Sequence, residues 1–154
     1  MKPVFDEAKE FIKDMMDEYK ISEPGTHVGV VEYSDVSSVK LGLRDSFDEN
    51  AIKDEVDRMT LLAGGSTNLD RALENVVDKM FSVSLGGRPS AKKILVVLAA
   101  SNTSAKEALK KVEKPLKELG VRICVVPLGD DKKKDPKELA KLVDEDILKS
   151  RFGV

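Results

Sequence analysis

The stretch Gly64-Gly65-Ser66-Thr67-Asn68 gathers small residues, hydroxyls and an amide, the residue types from which phosphate cradles and cation sites are built. A phosphate-binding loop needs Gly, four residues, Gly, Lys and a hydroxyl residue, placed after a strand. This stretch has no Lys and follows a segment of helical periodicity, so nucleotide hydrolysis is not expected. No GxGxxG follows a strand, and Gly86-Gly87 lies in the loop after Phe81, so a dinucleotide site has no support. The only histidine, His27, opens a β-rich run with no acidic partner or nucleophile near it in sequence, and a triad requires both. Cys124, the lone cysteine, sits inside the apolar run Val121-Arg122-Ile123-Cys124-Val125-Val126 and reads as a buried core thiol without metal-ligand spacing. No residue is assigned a catalytic role, the chain is not expected to be an enzyme, and no cofactor is expected.

Such residues act only if a fold positions them. A chain of 154 residues with 41% hydrophobic content is long and apolar enough for one domain with a real core, and residues 1–154 are read as that single domain. The net charge of −2 offers no general attraction to nucleic acid or anionic lipid. The one like-charge run, Lys132-Lys133-Lys134, is flanked by Asp130, Asp131 and Asp135 and reads as a solvated loop. No segment approaches the roughly 20 apolar residues of a membrane helix, so insertion into a membrane is not expected. Met1-Lys2-Pro3 leads into a charged amphipathic segment instead of a signal peptide, which leaves the compartment open.

Val4, Phe5, Ala8, Phe11, Ile12, Met15, Met16 and Tyr19 recur at three- and four-residue steps, which predicts a first amphipathic helix. After Ser22-Glu23-Pro24-Gly25 come two β-rich runs, 27–34 and 39–43, close enough to form a hairpin. Asp48 is placed to cap a helix carrying Ile52, Val56, Met59 and Leu62 that ends at Gly64-Gly65. A second helix follows Thr67, with Leu69, Ala72, Leu73, Val76, Val77 and Met80 inward. The run Ile94 to Ala100 is unbroken apolar and short, as expected of a central parallel strand covered on both faces. Ser104 and Glu107 form a capping box for a helix with Ala108, Leu109, Val112, Leu116 and Leu119 inward, closed by Gly120 before the strand Val121 to Leu128. Asp135, Pro136 and Glu138 start a last helix, and Arg151 to Val154 forms a short extended tail. Strands alternating with helices predict an α/β fold: a Rossmann-like open, mostly parallel sheet with helices on both faces and one antiparallel hairpin strand. In such sheets ligands bind beyond the carboxyl ends of the strands, here the stretches around Ser34, Gly64 to Asn68 and Ala99 to Thr103.

The order and spacing of these segments over nearly the whole chain resemble a von Willebrand factor A-type domain. The most specific part is Gly64-Gly65-Ser66-Thr67-Asn68-Leu69-Asp70-Arg71-Ala72-Leu73, supported by Val28 to Ser34, Lys93 to Ala100 and Leu116 to Ile123. The likeness leans toward extracellular adhesive and matrix members, which implies an extracellular place, although the family also has intracellular members. It also implies a first strand ending in an Asp-x-Ser-x-Ser loop ahead of the first helix, where this chain has Met1-Lys2-Pro3, so the first strand is expected to be absent. The family's Thr-Asp-Gly after the central strand reads Ala99-Ala100-Ser101 here. Thr67 alone matches a ligand position of the family's metal-ion-dependent adhesion site, and with Asp70 it also suits a helix capping box. Thr67 and Ala100 therefore mark a degenerate site that holds no metal.

The resemblance implies a non-catalytic module that binds another protein, a matrix or receptor ectodomain, without metal. The candidate binding loops contribute Ser34, Asp35, Gly65, Ser66, Thr67, Asn68, Ser101 and Asn102. Self-association through the open strand slot is a further expectation. The alternative is a spacer, or a truncated or designed fragment, whose loops bind nothing. Magnesium and manganese prefer octahedral oxygen sites, and magnesium needs a carboxylate to offset its dehydration. Calorimetric titration with either ion is thus expected to give no saturable heat below millimolar concentration, and Ala100→Asp alone should not restore binding. Micromolar affinity lost on Thr67→Ala would overturn this reading.

Overall fold

The computed structural model describes residues 2–33, 37–60, 69–99 and 102–128. The elements are α1 (Lys2–Met16), β1 (Val30–Tyr33), β2 (Ser37–Leu41), α2 (Glu49–Arg58), α3 (Leu69–Asn75), β3 (Lys93–Ala99), α4 (Asn102–Glu118) and β4 (Val121–Pro127). The last helix and the tail expected from the sequence lie outside the described residues. The chain divides into two compact units, one of Tyr19–Ala91 and one built from the residues on either side of it.

In the second of these, β3 and β4 pair in parallel, in register from Lys93↔Val121 to Ala99↔Pro127. A parallel pair cannot be joined by a tight turn, so the connection must be a crossover, and α4 supplies it. Successive strand residues point to opposite faces. On one face Cys124 and Val126 are packed with Ile94, Val96 and Leu98 and with Phe11 and Met15 of α1. Val121, Ile123 and Val125 turn the other way and are buried too, so β4 is covered on both sides. α4 packs on this ladder, with Ala108, Leu109, Val112 and Leu116 buried.

Three details depart from the sequence expectations. The strand enclosed on both sides is β4, whereas Ile94, Leu95, Val96 and Leu98 of β3 remain half-buried. α4 begins at Asn102, ahead of the expected cap Ser104, because a first helical turn needs no intrahelical acceptor for its N–H groups and tolerates Asn, Thr and Ser. Leu119, expected inward, is 37% exposed, since Gly120 at φ +72° already turns the chain out of the helix.

In the unit Tyr19–Ala91, β1 and β2 form an antiparallel hairpin closed by the pair Tyr33↔Ser37. Both strands differ from their sequence readings. β1 starts three residues later than expected, where the Nε2 of His27 donates to the carbonyl of Glu23 at 2.7 Å and Met80 lies over Gly29. A Cβ on Gly29 would come within 2.5 Å of Met80 Cε, so a larger residue there would displace the end of the Met80 side chain. β2 spans Ser37–Leu41 instead of 39–43, because the Gly42 N–H is taken by Asp45 Oδ2 at 2.6 Å. Val30 pairs with Leu41 and Val31 with Val39, leaving Lys40 as an extra residue in a bulge.

Asp48 caps α2 as expected, accepting from the N–H groups of Asn50 (2.9 Å) and Ala51 (3.2 Å), and Ile52 and Val56 are buried. The helix stops at Arg58, short of the expected Gly64-Gly65, where Met59 turns extended at ψ 132°. α3 buries Leu69, Ala72 and Leu73 and continues into a π-helical turn, Val76–Met80, which keeps Val76 and Met80 inward and leaves Val77 half-buried. The described strands thus form one parallel and one antiparallel ladder, with helices between them along the chain, in keeping with the α/β fold and the antiparallel hairpin expected from the sequence.

Leu116 is fully buried and Leu119 is not, although both fit the same helical stripe. Leu116→Ala is expected to cost about 2–5 kcal/mol of unfolding free energy in denaturant titration. Leu119→Ala should stay within about 0.5 kcal/mol. Equal losses would show that the carboxyl end of α4 packs differently.

Candidate functional site

Ser34 and Asp35 follow β1 directly, Gly65 to Asn68 lead into α3, and Ala100 and Ser101 stand between β3 and α4. All of these candidate positions, Thr67 and Ala100 included, lie outside the described residues. Asn102, expected in a loop, is the first residue of α4. What the structure describes is the frame that carries these stretches.

One part of the frame joins the hairpin to α3. α3 packs against β1 and β2, and Asn75 Nδ2 donates to Ser37 Oγ at 2.5 Å. Asn75 is the last residue of α3, so this bond fixes the end of the helix remote from Thr67. At 1.5 Å per residue the two ends of α3 are about 9 Å apart. The bond fixes the foot of β2, next to the hairpin turn, against a helix whose buried side is Leu69, Ala72 and Leu73.

Two residues beside the turn escaped the sequence reading. Glu32 is only 7% exposed, its Oε2 is buried with no hydrogen-bond partner among the described residues, and Lys40 Nζ stands 3.7 Å away. Lys40 lies two residues along β2 from Ser38, the partner of Glu32 in the ladder. The signal was present as a carboxylate inside the apolar run Val30-Val31-Glu32-Tyr33. Tyr33, the last residue of β1, is largely desolvated, and burial pushes its phenol above the ordinary value of 10.0.

His27 has a structural setting. Besides its bond to the Glu23 carbonyl, its ring lies against Phe47 with centroids 4.6 Å apart. Arg88 Nη2 donates to the Gly25 carbonyl at 2.7 Å and ties the same loop to the segment before β3. Cys124 is buried in β4, as its apolar surroundings in sequence suggested. Among the described residues no three His, Cys, Asp or Glu side chains converge as a metal site would require, and no helix is long and apolar enough to cross a membrane.

A parallel strand pair linked by a helix in one unit, and an antiparallel hairpin with α3 packed on it in the other, define an α/β architecture. The family model of the von Willebrand factor type A domain matches residues 1–150, and the chain belongs to that family. Matrilin-1 of Gallus gallus is 28% identical over 136 residues, 88% of this chain and 27% of that protein. Von Willebrand factor of Rattus norvegicus is 26% identical over 138 residues, 90% of this chain and 30% of that protein. The chain therefore spans under a third of the length of these relatives. The fold is shared with proximal thread matrix protein 1 of the mussel byssus, at a TM-score of 0.74 and 21% identity over 93% of this chain and 42% of that one.

Two measurements check the electrostatics of the hairpin. Removing Lys40 leaves a buried carboxylate without its cation, and Lys40→Ala is expected to cost about 1–2 kcal/mol. That is less than a wholly buried pair would lose, because Lys40 is 36% exposed. Glu32→Gln in the same background should recover most of it; a double-mutant cycle with no coupling would refute the pairing. For Tyr33, the unfolded chain loses the phenolic proton near pH 10 while the folded chain retains it. The native state then binds more protons, so stability should fall as pH rises above about 10. Tyr33→Phe should remove that alkaline loss in unfolding curves taken on both sides of this pH, and an unchanged slope would argue against burial of the phenol.

Proposed function

We propose that this chain is a non-catalytic, adhesive protein-binding module that acts as a single extracellular domain and engages a matrix protein or receptor ectodomain without a metal ion. The observation that carries the reading is the family match over residues 1–150 together with relatives such as matrilin-1 and von Willebrand factor. The contact is assigned to Ser34, Asp35, Gly65, Ser66, Thr67, Asn68, Ser101 and Asn102, which adjoin strand ends and helix starts, where ligands bind in open α/β sheets. Metal independence rests on donor chemistry: where the family's pattern has an Asp, Ala100 offers no side-chain oxygen, and Thr67 contributes one neutral hydroxyl. The absence of catalysis is supported by the setting of His27, whose imidazole is engaged by Glu23 and Phe47. Self-association through the open strand slot is part of the same proposal, since β1 and β3 each have a single ladder neighbour among the described residues.

Surface-immobilised chain should bind at least one matrix or receptor ectodomain saturably, with affinity unchanged by a chelator. Asp35→Ala or Asn68→Ala should weaken that binding about tenfold without lowering thermal stability, as expected of residues central to an interface. Binding abolished by chelation would overturn metal independence. A panel with no saturable partner would favour a spacer, and turnover of a hydrolase or phosphatase substrate lost on His27→Ala would make the chain an enzyme. Light scattering across a concentration series should show reversible association if the slot is used, and a monomer throughout would remove that part of the proposal.

A further inference from the structure

We draw no further inference here: the strongest candidate, the second edge of β3 at the half-buried Ile94 and Val96, carries nothing because nothing in the structure shows what covers it.

Discussion

The parallel register between β3 and β4 is the constraint from which one half of the structure follows. Seven residues of each strand pair without a slip, and the Leu128 N–H continues the pattern by donating to the Ala99 carbonyl at 2.9 Å. Parallel strands must be joined by a crossover of a dozen or more residues, and the 17 residues of α4 meet that demand. Their apolar stripe has to face the ladder, which buries Leu116 completely, and the chain must then reverse sharply into β4. Gly120 permits the reversal because it alone of the residues there reaches φ +72° without strain. Pro115 is tolerated inside the helix because the apolar packing of Val112 and Leu116 on either side holds that turn.

The hairpin answers a different problem, that of a short ladder with an edge to protect. β2 carries the bulge at Lys40 and ends where Asp45 captures the Gly42 N–H, two devices that discourage another strand from continuing the sheet there. Lys40 also stands 3.7 Å from the buried Glu32. A buried carboxylate is costly unless its charge is compensated, and a lysine at 3.7 Å compensates it only in part, because one oxygen lacks a hydrogen-bond partner among the described residues. Glu32 is therefore better understood as a group that ties β1 to one register of β2 than as a source of net stability. A one-residue slip of β2 would turn Lys40 to the other face and leave the buried Glu32 without its cation.

Much of the fold was legible because local chemistry agreed with the tertiary outcome. Asp48 caps α2 in sequence and in structure, Leu69, Ala72 and Leu73 keep their helical spacing, and Cys124 is buried in the apolar run that predicted it. What could not be read depends on neighbours distant along the chain. An apolar run reports that a strand is apolar but not how many strands flank it, so β3 was expected to be the enclosed one and β4 is. Strand ends are set by bonds such as His27 to Glu23 and Gly42 to Asp45, which compete with the ladder and leave no periodic trace. The candidate site is harder still: its residue types can be read directly, but the stretches that supply them are separated by up to 67 positions between Ser34 and Ser101.

The composition of that site limits how a partner would be held. Among the eight candidate positions only Asp35 is charged, and the chain as a whole carries a net charge of −2, so long-range steering contributes little to encounter. Tight interfaces usually draw their energy from a few desolvated anchors rich in Trp, Tyr and Arg. This chain has no Trp, and its two tyrosines, Tyr19 and Tyr33, are already half-buried within its own fold. The hydroxyls and amides of Ser66, Thr67, Asn68 and Ser101 would supply, in the proposed contact, directional hydrogen bonds, each worth about 0.5–1.5 kcal/mol net, and no large apolar surface. In the proposed contact the aromatic or arginine anchors would then have to come from the partner. The module's share would be the mainly neutral donors and acceptors of the candidate residues, which is a basis for specificity of fit more than for steered capture.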